Sequence, residues 1–365
     1  MSRVRFALIG CGAIAQKHVT ALSRLEDAAI VGCFDINPAA AQRFGQKHGI
    51  EAFASVEQLV EQADPDFFNV LTPSGCHAAN VLDLVQFNRH FVVEKPLALQ
   101  LSDVDRILHE CATRELRVYT VKQNRFNPPV FQLKRAIESG RFGRMVMGTV
   151  RVRWMRDQAY YDQSRWRGTW AADGGVLTNQ ACHHIDALLW LMGDVDTVQA
   201  KIATRLVDIE AEDTGVAILG FANGALGVVE ATTGARPRDL EGSLSILGEK
   251  GSVEVGGFFM NELKTWNFVE SHPMDDEVCS EHAKVPAIPA WNHTEFFRDV
   301  IRSYQTGQRG LVDGLEGRRS VELLTAIYES AERAEEVSLR FRPRVCRLGV
   351  PASEPVPPLK IRRAA

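Results

Sequence analysis

The chain has 365 residues, and its 42 Lys and Arg residues against 46 Asp and Glu residues give a formal net charge of −4. This length is sufficient for two domains of about 150 to 200 residues each. The balance of charge shows no basic excess, which disfavours nucleic acid or an anionic membrane as the partner. The sequence therefore favours a two-domain enzyme that acts on a small molecule.

The seven cysteines form no CxxC pair and are odd in number, which disfavours a disulfide framework and a zinc ribbon. The N-terminus enters the apolar run VRFALIG without a separate charged region or a cleavage site. No window holds about 18 uninterrupted apolar residues, as a membrane-spanning helix would require. We therefore expect a cytoplasmic protein that is neither secreted nor membrane-spanning.

Residues 1–122 alternate short apolar runs with amphipathic stretches, and we interpret them as one nucleotide-binding domain. The predicted strands are VRFALIG, AAIVGCFD, FFNVL, HFVVE and RVYTV. Pro38 after Asn37 predicts a helix start, and Ser102 predicts a cap for a helix over 102–114. Strands that alternate with helices predict an α/β fold with a doubly wound parallel sheet of the Rossmann type.

Residues 123–340 show a different pattern, typical of a largely antiparallel, open sheet with helices. The predicted strands include MVMGTVRVRW, TGVAILGF, GALGVVEATT, LEGSLSILG and GSVEVGG. Helices are predicted near 128–139, 180–192, 290–305 and 313–337. Residues 341–365 are rich in proline and end in basic residues, which predicts a C-terminal tail that is flexible or docks on a neighbour.

The motif GCGAIA follows the first predicted strand and opens the first predicted helix, as in a dinucleotide-binding fingerprint. Gly10 permits a tight turn, Gly12 lets the backbone approach a pyrophosphate, and Ala15 allows close packing of the helix on the strand. Ala13 and Ile14 of the same motif are also predicted to bind the cofactor. Asp35 ends the second strand, where an acidic side chain would bind the ribose hydroxyls. NAD is therefore favoured over NADP, because no Arg immediately follows Asp35.

The motif VVEKP places Lys95 at the carboxyl end of a predicted strand, where doubly wound sheets bind their ligands. Glu94 and Pro96 flank this lysine. A lysine beside a nicotinamide can hydrogen-bond a substrate hydroxyl and stabilise the alkoxide that forms as hydride leaves. A surface lysine without a function is the alternative interpretation of this residue taken alone.

The segment GVLTNQACHHID carries polar groups where a helix would otherwise bury apolar ones. Asn179, His183 and Asp186 recur at spacings of four and three, which predicts one helix face. His183 could act as a general base, since imidazole titrates near neutral pH, although a buried structural histidine is the alternative. His184 is predicted to point to another face. No metal site is predicted, because His183, His184 and Asp186 lack the spacing of helical zinc ligands.

Taken together, these motifs resemble the Gfo/Idh/MocA family of sugar and polyol dehydrogenases over residues 3 to about 340. The resemblance also rests on TPSGCH at 72–77, QNRFNPPV at 123–130 and WRG at 166–168. It implies a Rossmann domain, a C-terminal domain whose open sheet forms a dimer or tetramer, and Lys95 and His183 as catalytic residues. The residues that it implies in NAD binding, besides the glycine motif and Asp35, are Thr72, Pro73, His77, Glu94, Lys95, Gln123 and Trp166.

The chain departs from the usual family segment GGGxxxDxxxH at two positions. It has Asp173 before Gly174 and Gly175, and Asn179 where an Asp usually precedes the His. An Asn can bind a hydroxyl or orient the imidazole, but it cannot stabilise an imidazolium by charge. The departure indicates a distinct substrate subclass.

The run from Tyr160 to Asp186 resembles the branch of this family that oxidises C3 of UDP-N-acetylglucosaminuronic acid, in bacterial pathways to the diamino-uronates of surface glycans such as O-antigen. Some of its members regenerate NAD with 2-oxoglutarate. The substrate-binding residues that this resemblance implies are Asn179, Arg167, Arg165, Tyr160 and Arg125, where arginines could meet a diphosphate or uronate. A dehydrogenase of a free sugar or inositol, and a non-catalytic NAD-sensing regulator, remain as alternatives.

Overall fold

The structure, a computed structural model, describes residues 3–339, 348 and 351. The described residues form two compact units. The first holds residues up to 98 together with 102–131 and 284–319, and the second holds 99–101, 132–283 and the residues from 320. Apart from Leu348 and Pro351, the predicted tail over 341–365 lies outside the described residues.

The first unit is built on a five-stranded parallel sheet with the order β2-β1-β3-β4-β5. Each predicted strand of this region is present, and the doubly wound α/β prediction is confirmed. The strands are β1 Val4–Ile9, β2 Ala28–Phe34, β3 Phe67–Val70, β4 His90–Val93 and β5 Val118–Thr120.

The first helices of the chain alternate with these strands or follow the last of them. They are α1 Ala13–Leu22, α2 Pro38–His48, α3 Val56–Ala63, α4 His77–Leu84, α5 Leu101–Ala112 and α6 Pro128–Glu138. The Asn37 side chain caps α2 by accepting hydrogen bonds from the amides of Ala39 and Ala40, as expected for Asn before Pro38. The predicted Ser102 cap is wrong, because α5 begins one residue earlier and includes Ser102.

The second unit contains an eight-stranded sheet with the order β12-β11-β10-β6-β9-β8-β7-β13. Its strands are β6 Met145–Arg153, β7 Val195–Ala203, β8 Thr214–Phe221, β9 Leu226–Thr232, β10 Glu241–Gly248, β11 Gly251–Gly256, β12 Glu262–Phe268 and β13 Val337–Ser338. The β6 and β9 strands pair in parallel and the remaining neighbours are antiparallel. This confirms the largely antiparallel second sheet.

The helices of the later chain are α7 Gln158–Asp162, α8 Val176–Asn179, α9 Cys182–Met192, α10 Met274–Glu281, α11 Trp291–Thr306 and α12 Gly314–Arg333. The α9 helix covers one face of the second sheet, where a side chain at Gly148 would meet Leu188 and Met192. None of the helices among the described residues has the length and apolar character needed to cross a membrane.

The predicted shared helix face of Asn179, His183 and Asp186 is wrong. Asn179 ends α8, whereas His183 and Asp186 lie on α9, which starts after a break at Gln180 and Ala181. Asp186 is buried and accepts a hydrogen bond of 2.6 Å from the Ser320 hydroxyl. The Asp186 carboxylate therefore makes a structural hydrogen bond inside the second unit.

Residues 284–319 belong to the first unit although the rest of the later chain does not. The hydroxyl groups of Tyr119 and Ser303 lie 2.8 Å apart, and Arg117 donates to the Ser303 carbonyl oxygen at 2.6 Å. Phe296 and Phe297 of α11 lie in the same apolar cluster as Phe6 of β1. The returning segment thus completes the core of the first unit.

Candidate active site

The turn between β1 and α1 has the geometry that a pyrophosphate needs. Gly10 adopts a φ of +102°, and a side chain there would lie 3.0 Å from the Leu71 carbonyl carbon. Gly12 precedes the first residue of α1, Ala13, and nothing lies within 4 Å of the position that a side chain at Gly12 would take. The helix N-terminus at Ala13 and Ile14 is therefore open to an anionic group, as the glycine motif predicts.

Asp35 connects this turn to the end of β2. One carboxylate oxygen accepts a hydrogen bond of 2.8 Å from the Cys11 amide, and the other accepts from the Asn37 amide at 2.8 Å. Each carboxylate oxygen can accept more than one hydrogen bond, so capacity for ribose hydroxyls remains. The turn and the acidic strand end predicted to bind NAD are thus held together.

Lys95 follows β4 at the carboxyl edge of the first sheet, and its peptide bond to Pro96 is cis. The neighbouring Glu94 is buried, and its carboxylate lies 2.9 Å from His18 Nε2 and accepts from the Lys95 amide at 3.1 Å. Burial opposes ionisation of Glu94, but the hydrogen bond from His18 and nearby positive charge hold its pKa well below the usual range. Glu94 is therefore engaged inside the unit, and its contact with NAD stays a prediction.

His77 holds the two loops that carry the other predicted cofactor contacts. Its Nδ1 lies 2.7 Å from the Pro96 carbonyl oxygen and its Nε2 lies 2.9 Å from the Thr72 carbonyl oxygen. Burial lowers the pKa of this imidazole, while the hydrogen bonds to Pro96 and Thr72 raise it. Both ring nitrogens face backbone carbonyls, and the contact of His77 with NAD stays a prediction. Thr72 Oγ1 donates to Asn80, and Pro73 follows it in the same loop.

Sequence reasoning missed a buried cluster of His18, Glu94 and His293, whose ligating atoms lie within 4.8 Å of one another. Asn69 contacts His18 Nδ1 at 3.3 Å, and Asn292 contacts His293 Nδ1 at 3.1 Å. Burial, with the charge of His18, lowers the pKa of His293 to about 3. The available signal in the sequence was His18, which lies beside Val19 in the first predicted helix and could have indicated a buried polar contact. The cluster supports Glu94, and through its backbone Lys95, from inside the first unit.

Gln123 and Arg125 lie in the 3-10 turn Gln123–Phe126, which follows β5. The Arg125 guanidinium is 1 % exposed and forms an ion pair of 2.8 Å with Glu316. This pairing gives Arg125 a structural role inside the first unit. Its contact with substrate, and the contact of Gln123 with NAD, stay predictions.

In the second unit, an arginine and two aromatic rings form a stacked group near the predicted substrate-binding residues. The Arg167 guanidinium carbon lies 4.6 Å from the Tyr160 ring centre and 4.8 Å from that of Trp166. Arg167 also donates a hydrogen bond of 2.7 Å to the Tyr160 hydroxyl. Arg165 is exposed on the same loop. The structure thus places Trp166, predicted to contact NAD, against Arg167 and near Tyr160, both predicted to bind substrate, and the contact of Trp166 with NAD stays a prediction.

Gln180 is a further candidate that the sequence analysis did not single out. It is 4 % exposed, its amide lies 3.5 Å from the Tyr160 hydroxyl, and its Oε1 has no hydrogen-bond partner among the described residues. A buried acceptor without a partner costs free energy, so a ligand donor at this oxygen would be favourable. Gln180 lies between α8 and α9 and directly follows Asn179, and this position could have identified it as a candidate ligand-binding residue.

His183 and His184 have different surroundings on α9. His184 is fully buried, and burial lowers its pKa to about 4. His183 is only partly buried. Asn179 donates a hydrogen bond from its side-chain amide to the carboxylate of Asp173, which is 2 % exposed. The two histidines therefore do not act as a pair, and His183 is the one accessible to a substrate.

Comparisons with known proteins agree with this geometry. The model of an oxidoreductase family with an NAD-binding Rossmann fold matches residues 4–122, and the model of its C-terminal α/β domain matches residues 134–339. Myo-inositol 2-dehydrogenase of Thermotoga maritima is 26 % identical over 343 residues, covering 92 % of this chain and 98 % of that protein.

Solved structures of higher identity are also similar. The WlbA dehydrogenase from Bordetella pertussis, solved with NADH and UDP-GlcNAcA, is 41 % identical with a TM-score of 0.90, covering 93 % of this chain and 99 % of that chain. The WlbA dehydrogenase from Chromobacterium violaceum, solved with the same two ligands, is 40 % identical with a TM-score of 0.87, covering 94 % and 97 %. The chain therefore belongs to the Gfo/Idh/MocA oxidoreductase family and is an NAD-binding dehydrogenase.

Proposed function

We propose that the protein oxidises the C3 hydroxyl of UDP-N-acetylglucosaminuronic acid to the 3-keto sugar nucleotide, with NAD as the oxidant. The observation that carries this proposal is the stacked group of Arg167, Tyr160 and Trp166 in the second unit. A guanidinium with two aromatic rings suits an anionic nucleotide sugar better than an uncharged polyol, which offers neither a phosphate nor a base.

The reaction requires a base for the hydroxyl proton and a donor for the substrate oxygen. His183 takes the C3 hydroxyl proton, since a partly exposed imidazole can pass it to solvent. Lys95 hydrogen-bonds the same oxygen and stabilises its developing negative charge. The bound nicotinamide supplies the acceptor for the hydride that leaves C3.

The remaining polar residues recognise the sugar nucleotide. Asn179 binds a sugar hydroxyl, Arg167 and Arg165 meet the diphosphate or the uronate, and Tyr160 offers a stacking surface. Arg125 stays in this group only as a prediction, since its guanidinium is buried against Glu316.

The two WlbA dehydrogenases support this substrate, because they are 40 to 41 % identical and were solved with UDP-GlcNAcA. Myo-inositol 2-dehydrogenase, at 26 % identity, supports the reaction class, but the substrate in its name is a free polyol. An inositol or free-sugar dehydrogenase is therefore the second candidate.

The wider setting is part of the proposal. The 3-keto product would serve a bacterial pathway to diamino-uronates of surface glycans, and 2-oxoglutarate would reoxidise bound NADH. A nucleotide sugar and NAD are both cytoplasmic metabolites, which favours that compartment. The open sheet of the second unit would form the dimer or tetramer interface.

A substrate panel tests the proposal. Purified protein with NAD is expected to form NADH and a 3-keto sugar with UDP-N-acetylglucosaminuronic acid, and neither with inositol, glucose or apiose. A parallel assay contains 2-oxoglutarate, which lets retained NADH turn over, and is scored by the 3-keto sugar instead of by NADH. Oxidation of a free polyol with no reaction on the sugar nucleotide would establish the second candidate instead. Lys95→Ala should abolish turnover, and an NADH titration of the same variant measures how much the predicted contact of Lys95 with the cofactor contributes to affinity.

A further inference from the structure

We propose that Asp173 is a positioning residue that fixes the side-chain amide of Asn179, so that Asn179 presents its carbonyl oxygen to the substrate. This inference deepens the proposed function and rests on it for the identity of the ligand. Asp173 itself is too deeply buried to touch substrate, being 2 % exposed, and it acts through Asn179.

The carboxylate of Asp173 joins two segments of the second unit. Its Oδ2 accepts a hydrogen bond of 2.9 Å from the Gly168 amide, and its Oδ1 accepts one from Asn179 Nδ2. Gly168 directly follows Arg167, and Asn179 ends α8. Asp173 therefore connects the loop that carries the stacked arginine to the residue that precedes His183 by four positions.

The chemistry of a carboxylate decides which way the amide of Asn179 points. An ionised carboxylate can only accept hydrogen bonds, so the NH2 group of Asn179 must face Asp173. The carbonyl oxygen of a planar amide then lies on the opposite side. Asn179 is partly buried whereas Asp173 is buried, so Asn179 is the member of the pair that a substrate can reach. A sugar hydroxyl or the imidazole N–H group would meet an acceptor there.

The backbone around Asp173 limits how far the segment can shift. Gly168 has a φ of +69°, and a side chain there would lie 2.8 Å from Ile209. A side chain at Gly175 would lie 2.1 Å from the Glu212 carbonyl oxygen. The Val176 amide donates to this carbonyl oxygen at 2.9 Å, which anchors the start of α8. Both ends of the connection made by Asp173 are thus held by close packing.

Exchange of the two side chains provides a sharp test. In Asp173→Asn, the new amide can keep its oxygen for the Gly168 amide only by turning its NH2 group toward Asn179, which must then invert. In Asn179→Asp, two carboxylates face each other in a buried place, and one of them must take a proton. The double variant Asp173→Asn with Asn179→Asp restores one donor and one acceptor, and it again presents an acceptor oxygen to the substrate.

We expect Asp173→Asn to lower kcat/KM for UDP-N-acetylglucosaminuronic acid by about 10- to 100-fold, as for loss of a hydrogen bond to a charged group. The double variant should recover to within about tenfold of the wild type, since the pair is complementary again. Asn179→Asp should lose activity as the pH rises, because the shared proton is then removed. NADH affinity should stay unchanged throughout. Asp208→Asn, which removes an exposed carboxylate from the same unit, serves as the control and should behave as the wild type.

Unchanged kcat/KM in Asp173→Asn, or no recovery in the double variant, would overturn the inference. If the wild type does not accept the sugar nucleotide at all, the proposed function is wrong. In that case, the denaturant midpoints of the wild type, the two single variants and the double variant decide whether Asp173 fixes the amide of Asn179. A lower midpoint in each single variant with recovery in the double supports the positioning role, whereas additive losses overturn it.

Discussion

Glu212 is a buried carboxyl group of the second unit whose protonation changes across the physiological pH range. It is 1 % exposed, and its Oε1 accepts hydrogen bonds of 2.9 Å from the Leu177 amide and from the Tyr328 hydroxyl. Burial raises its pKa from 4.5 to about 7, although the hydrogen bond from Leu177 lowers it, and the charge of Asp173 raises it further. The side chain that supports the start of α8 is thus largely protonated below neutral pH.

This shift predicts a stability that depends on pH. Because the pKa of Glu212 is higher in the folded state, the folded protein retains the proton that the unfolded chain loses. The stabilising contribution is complete below pH 4.5 and is lost as the pH rises through about 7. Glu212→Gln cannot ionise, so we expect its free energy of unfolding to exceed that of the wild type by about 3 kcal/mol at alkaline pH, with the advantage vanishing near the unfolded pKa.

Denaturant unfolding of the second unit across this pH range measures the effect. Glu281→Gln, at an exposed carboxylate that ends α10, is the matched control and should follow the wild-type curve. A difference between Glu212→Gln and the wild type that stays constant with pH would contradict the assigned protonation.

At the same scale, the sequence identified residue types better than residue partners. The glycine motif, Asp35, Lys95 and the cluster of Tyr160, Trp166 and Arg167 could be selected because each has a local signature. The inward orientation of Glu94, the two carbonyl contacts of His77 and the pairing of Arg125 with Glu316 depend on distant segments. No local spacing encodes them, so the sequence could not predict them.

At the scale of elements, the periodicity of apolar residues predicted the parallel strands because they are short, buried and bounded by turn residues. The β7 strand, Val195–Ala203, and the β12 strand, Glu262–Phe268, were not predicted. Both carry several half-buried positions, so their alternation is weak. Alternation along the chain predicts a strand only where one face is fully buried.

The break between α8 and α9 shows a second limit. The spacing of Asn179, His183 and Asp186 fits one helix, but α8 ends at Asn179 and α9 begins at Cys182. Glu212, thirty-odd residues away in sequence, binds the first amides of α8 and so fixes where that helix starts. The break lies at the other end of α8, where the Gln180 and Ala181 amides both donate to the Val176 carbonyl oxygen, at 3.1 and 2.8 Å, and residue spacing does not predict such a turn.

The return of residues 284–319 to the first unit is the third case. The amphipathic pattern of α11 predicted a helix but not the sheet on which its apolar face packs. Phe296 and Phe297 join the core that contains Phe6. An amphipathic pattern predicts that one face of a helix is buried. Only the complete fold shows which residues cover that face.

At the scale of the whole molecule, one face of the eight-stranded sheet exposes apolar side chains. Val216 and Ile218 of β8 are 47 and 57 % exposed, Leu226 of β9 is 57 % exposed, and Leu247 of β10 is 39 % exposed. The strand register places these residues on the same side of the sheet. The same side carries the ion pair of Arg153 with Glu230, and exposed apolar side chains beside paired charges are typical of a contact between copies of a chain.

We therefore expect Ile218→Asp to dissociate the proposed oligomer into monomers, because it would bury a charge in the interface. Sedimentation velocity measures the change directly. Val146→Asp is the control, since Val146 is 50 % exposed but lies on the other side of its strand from Met147, the partner of Leu226. An Ile218→Asp protein that sediments like the wild type would contradict the assignment of this face.

The central claim is that hydride leaves C3 of a UDP-linked N-acetylated uronic acid. The most direct measurement uses UDP-N-acetylglucosaminuronic acid deuterated at C3, followed by mass spectrometry of the cofactor. Our account predicts one deuterium in the NADH released from the wild type, and none from Lys95→Ala or His183→Ala. Unlabelled NADH formed from this substrate would contradict it, as would the absence of both NADH and the 3-keto sugar when no 2-oxoglutarate is added and of the 3-keto sugar when it is.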